Sequence, residues 1–309
     1  MRAITERDVL SSLGQAIRKL RWTIVHGEVE RTGDSPVLIF ICGANKPNGG
    51  GLSERRQAVI RFLETSIQNV SIVIAEHFFD ALLNDINHQI NLLDAEHFLT
   101  KISDDVIIIL ESQSAFCELG AFSHESLREK LLIINDEKFQ TSPSFINIGP
   151  IAAIDSSNKR KNIFHYPMQV DGIMKTDGIG ETFYDLHQSI ASGNKNKKIK
   201  YEKESLIPDK GNNSSKEALM FASDIIYLCA PMTYKELCEL YTSIFGKMSF
   251  NGLGKIIALL KGMKFIKYEK THGYIESLSD SLFFSYGKHT EELIIAFKLN
   301  RLKEEWRGQ

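Results

Sequence analysis

The stretch SDDVIIILESQSAFCELGAFSH, Ser103–His124, holds the residues best spaced for chemistry. An apolar run ends at Glu111, a polar turn Ser112–Ser114 follows, and a helical pattern opens near Ala115. Backbone N–H groups at such a turn and helix start can cradle an anion or a sugar hydroxyl. On this reading Glu118 lies in the first helical turn, where the positive end of the helix dipole favours its ionised form. An ionised carboxylate facing a sugar C1′ can stabilise an oxocarbenium-like centre or trap it covalently, as in retaining glycosidases. The plainer reading makes Glu118 a capping acid and Gly120 a glycine that lets helix and strand pack closely.

Neighbouring positions carry similar pairs of readings. Glu111 can orient the sugar or the loop, and Ser114 can donate to a ribose hydroxyl or cap the helix. Gly43 follows an apolar run directly, so it either admits a ligand close to the backbone or serves as a turn glycine. The loop NKPNGGG, Asn45–Gly51, is glycine-rich but lacks the Lys-Ser/Thr of a phosphate-binding P-loop, and reads as a mobile lid or binding loop. Asp80 and Asp94 fall on solvated helix faces.

These residues need a scaffold. Val37–Cys42 is a continuous apolar run, the mark of a strand buried on both faces of a parallel sheet. Ser71–Ala75, Asp105–Leu110 and Leu131–Ile134 repeat it, with a shorter fifth run at Ile151–Ile154. Helical patterns lie at Asp8–Trp22, Leu52–Thr65, Ile90–Ile102 and Ala115–Arg128. Strands alternating with helices predict an α/β fold with a doubly wound, flavodoxin- or Rossmann-like parallel sheet. Ligands then bind beyond the carboxyl ends of the strands, in the loops after Cys42, Ala75 and Leu110. The first domain spans 1–155. Residues 156–214 read as a connecting segment with one helix at Glu181–Ile190, and 215–309 as a second domain.

That second domain is mostly helical. Helix Ser215–Ala230 stops at Pro231, and Thr233 with Glu236 forms a capping box opening a helix through Ile244. Gly252–Lys261 is the next helix, FIKY and YIESL form a hairpin around EKTHG, and Thr290–Trp306 closes the chain. Helix–turn–helix followed by a β-ribbon is the order of a winged helix. Lys255 and Lys261, with Lys264, Lys267 and Lys270 towards the wing, can neutralise phosphates, and His272 and Tyr274 can stack on bases. The same face also suits protein contacts.

Composition narrows the class. With 309 residues, 43% hydrophobic and 25% charged, the chain reads as an ordinary globular protein. Its apolar runs fall short of the roughly 18 residues of a membrane span, and MRAITERDVL has no signal-peptide core, so a cytoplasmic location is expected. Cys42, Cys117, Cys229 and Cys238 form no CxxC pair, and the nine histidines lack ligand spacing; no metal site is expected. Residues 191–309 carry 19 Lys and Arg against 14 Asp and Glu, a net +5, whereas the rest carry 18 against 25, a net −7. Polyanions are natural partners for the basic half.

The run Asp105–Ala121, with its strand, polar turn and Glu-Leu-Gly-Ala, resembles the nucleoside deoxyribosyltransferase signature, in which the matching Glu, here Glu118, is the nucleophile. The chain is also similar to effectors of bacterial retron antiphage systems of the ribosyltransferase/DNA-binding type. The matching stretches are FICG (Phe40–Gly43), AEHFFDALL (Ala75–Leu83), NLLDAE (Asn91–Glu96), VIIILES and FCELGAFS within Val106–Ser123, KLLIINDEKFQTSPSFINIGP (Lys130–Pro150) and YKELCEL (Tyr234–Leu240). They cover most of the first 150 residues and touch the C-terminal helices. The resemblance implies an N-glycosidase-like toxin that cleaves the base–ribose bond of NAD or a related nucleotide, needing no cofactor. It further implies a complex with a reverse transcriptase and its multicopy single-stranded DNA, in a homo-oligomer or higher assembly. It places a substrate-contacting acid at Glu76, whose plainer reading is a helix-start acid. One departure is Gln113-Ser114-Ala115, where relatives carry a Pro-Gly-Ser turn. The rival readings are a nucleotide-sensing DNA-binding regulator without turnover, and a scaffold of a ribonucleoprotein.

Overall fold

All six residues of Val37–Cys42 are buried, as a strand with neighbours on both edges and helices over both faces requires. A computed structural model describes residues 12–31, 35–77, 91–157, 160–193, 199–208, 215–246, 250–268 and 273–307. The chain divides into two compact units. One comprises Pro36–Glu76 and Ile90–Lys195; the other takes the described residues of 1–35, 77–89 and 196–309.

The first unit runs β1 (Val37–Cys42), α1 (Glu54–Ser66), β2 (Val70–Val73), α2 (Leu92–Ile102), β3 (Asp105–Ile109), α3 (Gln113–Phe122), β4 (Leu131–Asp136), α4 (Ala152–Ser157), β5 (Ile163–Tyr166) and α5 (Phe183–Gly193). Its five strands pair in parallel in the order β2-β1-β3-β4-β5. Alternate residues serve opposite faces. Ile39, Ile41, Ile107, Ile109, Leu132 and Ile134 pack with Val59 and Leu63 of α1 and Leu186 and Ile190 of α5. Phe40 points the other way and meets Phe122 of α3, with ring centroids 6.4 Å apart. Strand order reverses between β1 and β3, so their carboxyl ends open the crevice where such sheets bind ligands.

Two sequence expectations are corrected here. Ile151–Ile154 is helical, continuing from a π-turn at Asn147–Ile151 into α4. The fifth strand is Ile163–Tyr166, within the segment read as connecting, and that segment also supplies α5. Ile-Ala-Ala-Ile has the spacing of a helix face and two good helix formers, whereas Ile-Phe-His-Tyr is β-branched and aromatic. The α/β unit therefore runs to residue 193 rather than 155.

The second unit is built from both chain ends. Helix Ser12–Val25 belongs to it, as do the antiparallel pair Glu30–Arg31 and Ile199–Lys200. Helix Lys216–Cys229, helices Tyr234–Phe245 and Asn251–Gly262, and helix Thr290–Arg307 follow. Met232–Thr233 and Ile266–Tyr268 flank Tyr274–Ser277 in a three-stranded antiparallel sheet. The capping box expected at Thr233 and Glu236 is present. Asp224, fully buried, accepts from Phe283 N–H (2.6 Å), Phe284 N–H (2.9 Å) and Tyr286 Oη (3.0 Å), pinning that segment to its helix. Asp80, Lys270 and His272 lie outside the described residues. Among the described residues no helix is long and apolar enough to cross a membrane.

Candidate active site

Beyond β1 and β3 the chain is locked by one carboxylate. Glu111 accepts from Ala44 N–H (3.0 Å), Ser53 Oγ (2.6 Å) and Arg55 Nη1 (3.2 Å), and its side chain has no exposure. Ser53 is also the N-cap of α1, accepting from Arg56 N–H at 3.1 Å. Glu111 thus ties the loop after β1 to the start of α1. Of its two sequence readings the geometry supports the loop. Gly43 fits the same lock, because a Cβ there would meet Arg56 Cγ at 2.9 Å and Glu111 Oε1 at 3.0 Å. What approaches Gly43 closely is the protein's own pair of side chains.

Adjacent arginines brace opposite halves of this edge. Arg55 donates through Nε (2.9 Å) and Nη2 (2.6 Å) to Asp177, which also accepts from Tyr166 Oη at the end of β5. Arg56, buried, grips Glu76 with both terminal nitrogens (2.7 and 3.1 Å) and donates to Asn45 Oδ1 and to the carbonyl of Ile41. Burial pulls the Glu76 carboxyl upward, but the fork of Arg56 and the amide of Asn45 outweigh it and hold it below the usual range. The loop Asn45–Gly51 is tied as well: Lys46 N–H donates to Gly51 at 2.7 Å, and the Lys46 ammonium pairs with Glu54.

Glu118 is placed differently from the sequence expectation. Ser112 caps α3, accepting from Ala115 N–H at 3.3 Å, so the helix starts at Gln113 and Glu118 sits in its second turn. The helix dipole acts mainly within the first turn and does not govern it. Burial, then the carboxyls of Glu96 and Glu76, raise the pKa of Glu118 to about 7 against the pull of Arg56 and the Cys42 thiol. Its Oε2 is buried with no hydrogen-bond partner among the described residues. Burial and Glu76 likewise raise Glu96 on α2. Burial, with Glu118 next, pushes the Cys42 thiol upward. Gly120 is exposed and a Cβ there would meet nothing within 4 Å, so it is not a packing glycine. Ser114 is exposed at the helix start, its Oγ 2.9 Å from that of Ser112.

The structure therefore gathers Glu76 and Glu118 into one electrostatic cluster, with Gly43 and Glu111 forming the lock behind it. Sequence reasoning missed Arg55, Arg56, Ser53, Asn45, Glu96, Asp177 and Tyr166. A signal existed for Arg56, which shares the buried stripe of α1 with Val59 and Leu63 at spacings of three and seven. An arginine on a buried stripe has to find carboxylates.

In the second unit, helix Asn251–Gly262 exposes only Gly254 among its described positions. Lys255 is half-buried, with its pKa lowered by that burial, and Lys261 is also half-buried. Lys264 and Lys267 are exposed, Lys264 Nζ lying 3.4 Å from His77 Nε2.

Comparison with known proteins adds an independent line. A family model described as STM3845 retron effector protein matches residues 53–268. The chain is 36% identical over 285 residues to an Escherichia coli protein named "Retron Ec73 putative ribosyltransferase/DNA-binding protein", covering 90% of this chain and 89% of that one. It is 32% identical over 206 residues to the Escherichia coli "Retron Ec86 putative ribosyltransferase/DNA-binding protein", covering 66% and 64% respectively.

Proposed function

This chain belongs to the STM3845 retron effector family, and we propose that its effector action is glycosyl transfer at C1′ of NAD or a related nucleotide. In this reading the first unit is an N-glycosidase of the nucleoside deoxyribosyltransferase type. Glu118 is the nucleophile or the stabiliser of the oxocarbenium centre. The observation that carries the reading is the meeting of Glu118, Glu96, Glu76 and Arg56 at the carboxyl edge of the sheet. Carboxyls of unlike pKa in one site supply both an ionised and a neutral group near pH 7. Glu76 stays ionised there, and Glu118, pushed up to about 7, can give and take a proton near that pH. The names of the two Escherichia coli relatives, which include ribosyltransferase, support the same chemistry.

In this reading the second unit serves as a winged helix, which the helix pair followed by an antiparallel three-stranded sheet supports. It engages the reverse transcriptase and multicopy DNA of the retron through phosphate contacts of Lys264 and Lys267. The buried surface of Asn251–Gly262 argues against that helix as a base reader, because groove reading needs an exposed polar face.

The test is base exchange. Purified full-length protein, incubated with NAD and labelled nicotinamide, incorporates label and gives product of retained configuration, since two displacements each invert. Glu118→Gln, folded, does neither. Inverted product without exchange from an active preparation removes Glu118 as nucleophile and leaves a water activated by Glu76 or Glu96.

A further inference from the structure

Two consecutive arginines of α1 are both buried, yet they hold carboxylates of different kinds. Arg55 pairs with Glu111 and Asp177, whose side chains are 0% and 1% exposed. These enclosed partners show what neutralising a buried guanidinium requires. Arg56 grips Glu76 at 2.7 and 3.1 Å, and although its own side chain is 2% exposed, that of Glu76 is 37% exposed. The guanidinium thus holds one edge of the Glu76 carboxylate from within the protein and leaves the other edge open. Further bonds fix its place. Nη2 donates to the carbonyl of Ile41 at 3.0 Å, one residue beyond Phe40–Val73, the last pair of β1 with β2, and Nη1 donates to Asn45 Oδ1 at 2.9 Å. Glu118 reaches the same spot from α3, which runs back antiparallel to the strands. The contact of Phe40 with Phe122 sets that helix on β1. Glu118 lies one helical turn before Phe122, about 6 Å, and Cys42 lies two strand residues beyond Phe40, about 7 Å. Glu118 therefore stands at Cys42, next to the carbonyl that Arg56 holds, with its Oε2 buried and lacking a hydrogen-bond partner among the described residues.

We propose that Arg56 is a positioning residue of this site, whose fork aims the open edge of the Glu76 carboxylate at the 2′-hydroxyl of the substrate's sugar, so that ribonucleotides are taken over their 2′-deoxy counterparts. The inference rests on the glycosyl-transfer reading given above, which puts C1′ at Glu118. Of the two ring neighbours of C1′, O4′ carries no proton, whereas C2′ carries the nearest hydroxyl. A carboxylate beside Glu118 meets that hydroxyl first and accepts a charge-assisted hydrogen bond from it, about twice as strong as a neutral one. Bonds to the 2-hydroxyl also strengthen as a glycosidic bond breaks, so the same contact favours the reaction. A 2′-deoxy sugar turns carbon towards the carboxylate and strips water from it without replacing the bond. The fork supplies the aim. Two parallel N–H···O bonds fix the plane of the Glu76 carboxylate as well as its position, which the single ammonium of a lysine cannot do.

Carbocyclic NAD+, in which a methylene replaces the ring oxygen of the nicotinamide-bearing sugar, resists glycosidic cleavage. It and its 2′-deoxy form differ by one hydroxyl, so they isolate the effect. Each is titrated calorimetrically into the full-length protein. The wild type binds the hydroxylated form at least about tenfold more tightly. Glu76→Gln and Arg56→Lys each cut that ratio at least about threefold and leave affinity for the 2′-deoxy form within about twofold of wild type. The double variant loses no more than either single one, because Arg56 acts through Glu76. A purely structural ion pair would weaken both ligands alike and keep the ratio. An unchanged ratio in Glu76→Gln, or in Arg56→Lys when Glu76→Gln has lost it, overturns the inference. Should Arg56→Lys not fold, the wild type still decides. Its ratio persists from about pH 8 down to about pH 5, since the fork holds Glu76 below its usual range against the pull of burial. A ratio that fades over that span overturns the role of Arg56. Equal affinities of the wild type for the two forms overturn the reading of the 2′-hydroxyl and leave glycosyl transfer intact. Binding of neither form overturns the nucleotide reading, and this inference with it.

Discussion

Glu118 titrates at about 7 in the folded chain, well above a free glutamate. The folded state therefore keeps a proton that the unfolded chain releases above roughly pH 4.5. Stability falls as pH rises through that window, and the loss is complete above about 7. Glu118→Gln removes the penalty and should stabilise the protein by about 3 kcal/mol above pH 7, with little effect below pH 4.5. Thermal melts of the two proteins across that range check this, and an equal gain at all pH values would refute it. If turnover needs the ionised form, the acid limb of kcat/KM lies near pH 7, and Glu96→Gln shifts it to lower pH because a like charge is removed. A limb that stays put separates Glu96 from the reaction. Glu118 was legible because strand, turn and Glu-Leu-Gly are contiguous in the chain. Glu76 was named through the family resemblance, whereas Glu96 and Arg56 were not read, since they arrive from two other elements and only the topology brings them together. The same gap misjudged the charge state: a local rule, the helix dipole, was applied where burial and distant carboxyls dominate.

The elements that hold these residues can be tested separately from the chemistry. Ser112→Ala removes the cap of α3 and should cost about 1 kcal/mol, loosening the start of the helix that carries Ser114 and Glu118. Gly120→Ala should do the reverse and stabilise the helix by up to about 1 kcal/mol, because the added methyl meets open space. Chemical denaturation measures both, and a destabilised Gly120→Ala would refute an open helix surface at that position. The three central strands could be placed from sequence because a strand buried on both faces is a run of apolar residues with nothing to confuse it, and the edge strand Val70–Val73, half-buried except at Val73, still kept enough of that run to be found. The fifth could not. Ile163–Tyr166 carries a histidine and lies among turn-like residues, and only pairing with β4 gives it an identity. Helix Asn251–Gly262 shows the limit of reading lysines from spacing, as Lys255 loses to burial the solvation that would leave it free for a phosphate.

For the whole molecule, association with nucleic acid should depend on few lysines. Replacing Lys264 and Lys267 with Ala should lower the slope of log K against log salt by a little under one per residue on duplex, and by less on single strands. Lys255→Ala should leave the slope alone, and a salt titration of the three proteins distinguishes them. The division of the chain has a consequence of another kind. The α/β unit lies almost entirely between residues 36 and 195, whereas its companion takes a helix from Ser12–Val25 and another from Thr290–Arg307. Synthesis proceeds from one end, so these two units cannot be finished together. At about 5–20 residues per second, the segment bearing Glu118 is complete roughly 6–20 s before the last helix is made. Nascent chains halted near residue 240 should then resist protease across the sheet while remaining open to it at Ser12–Val25. Throughout that interval the α/β unit is complete on the ribosome and its companion, which needs both of those helices, is not.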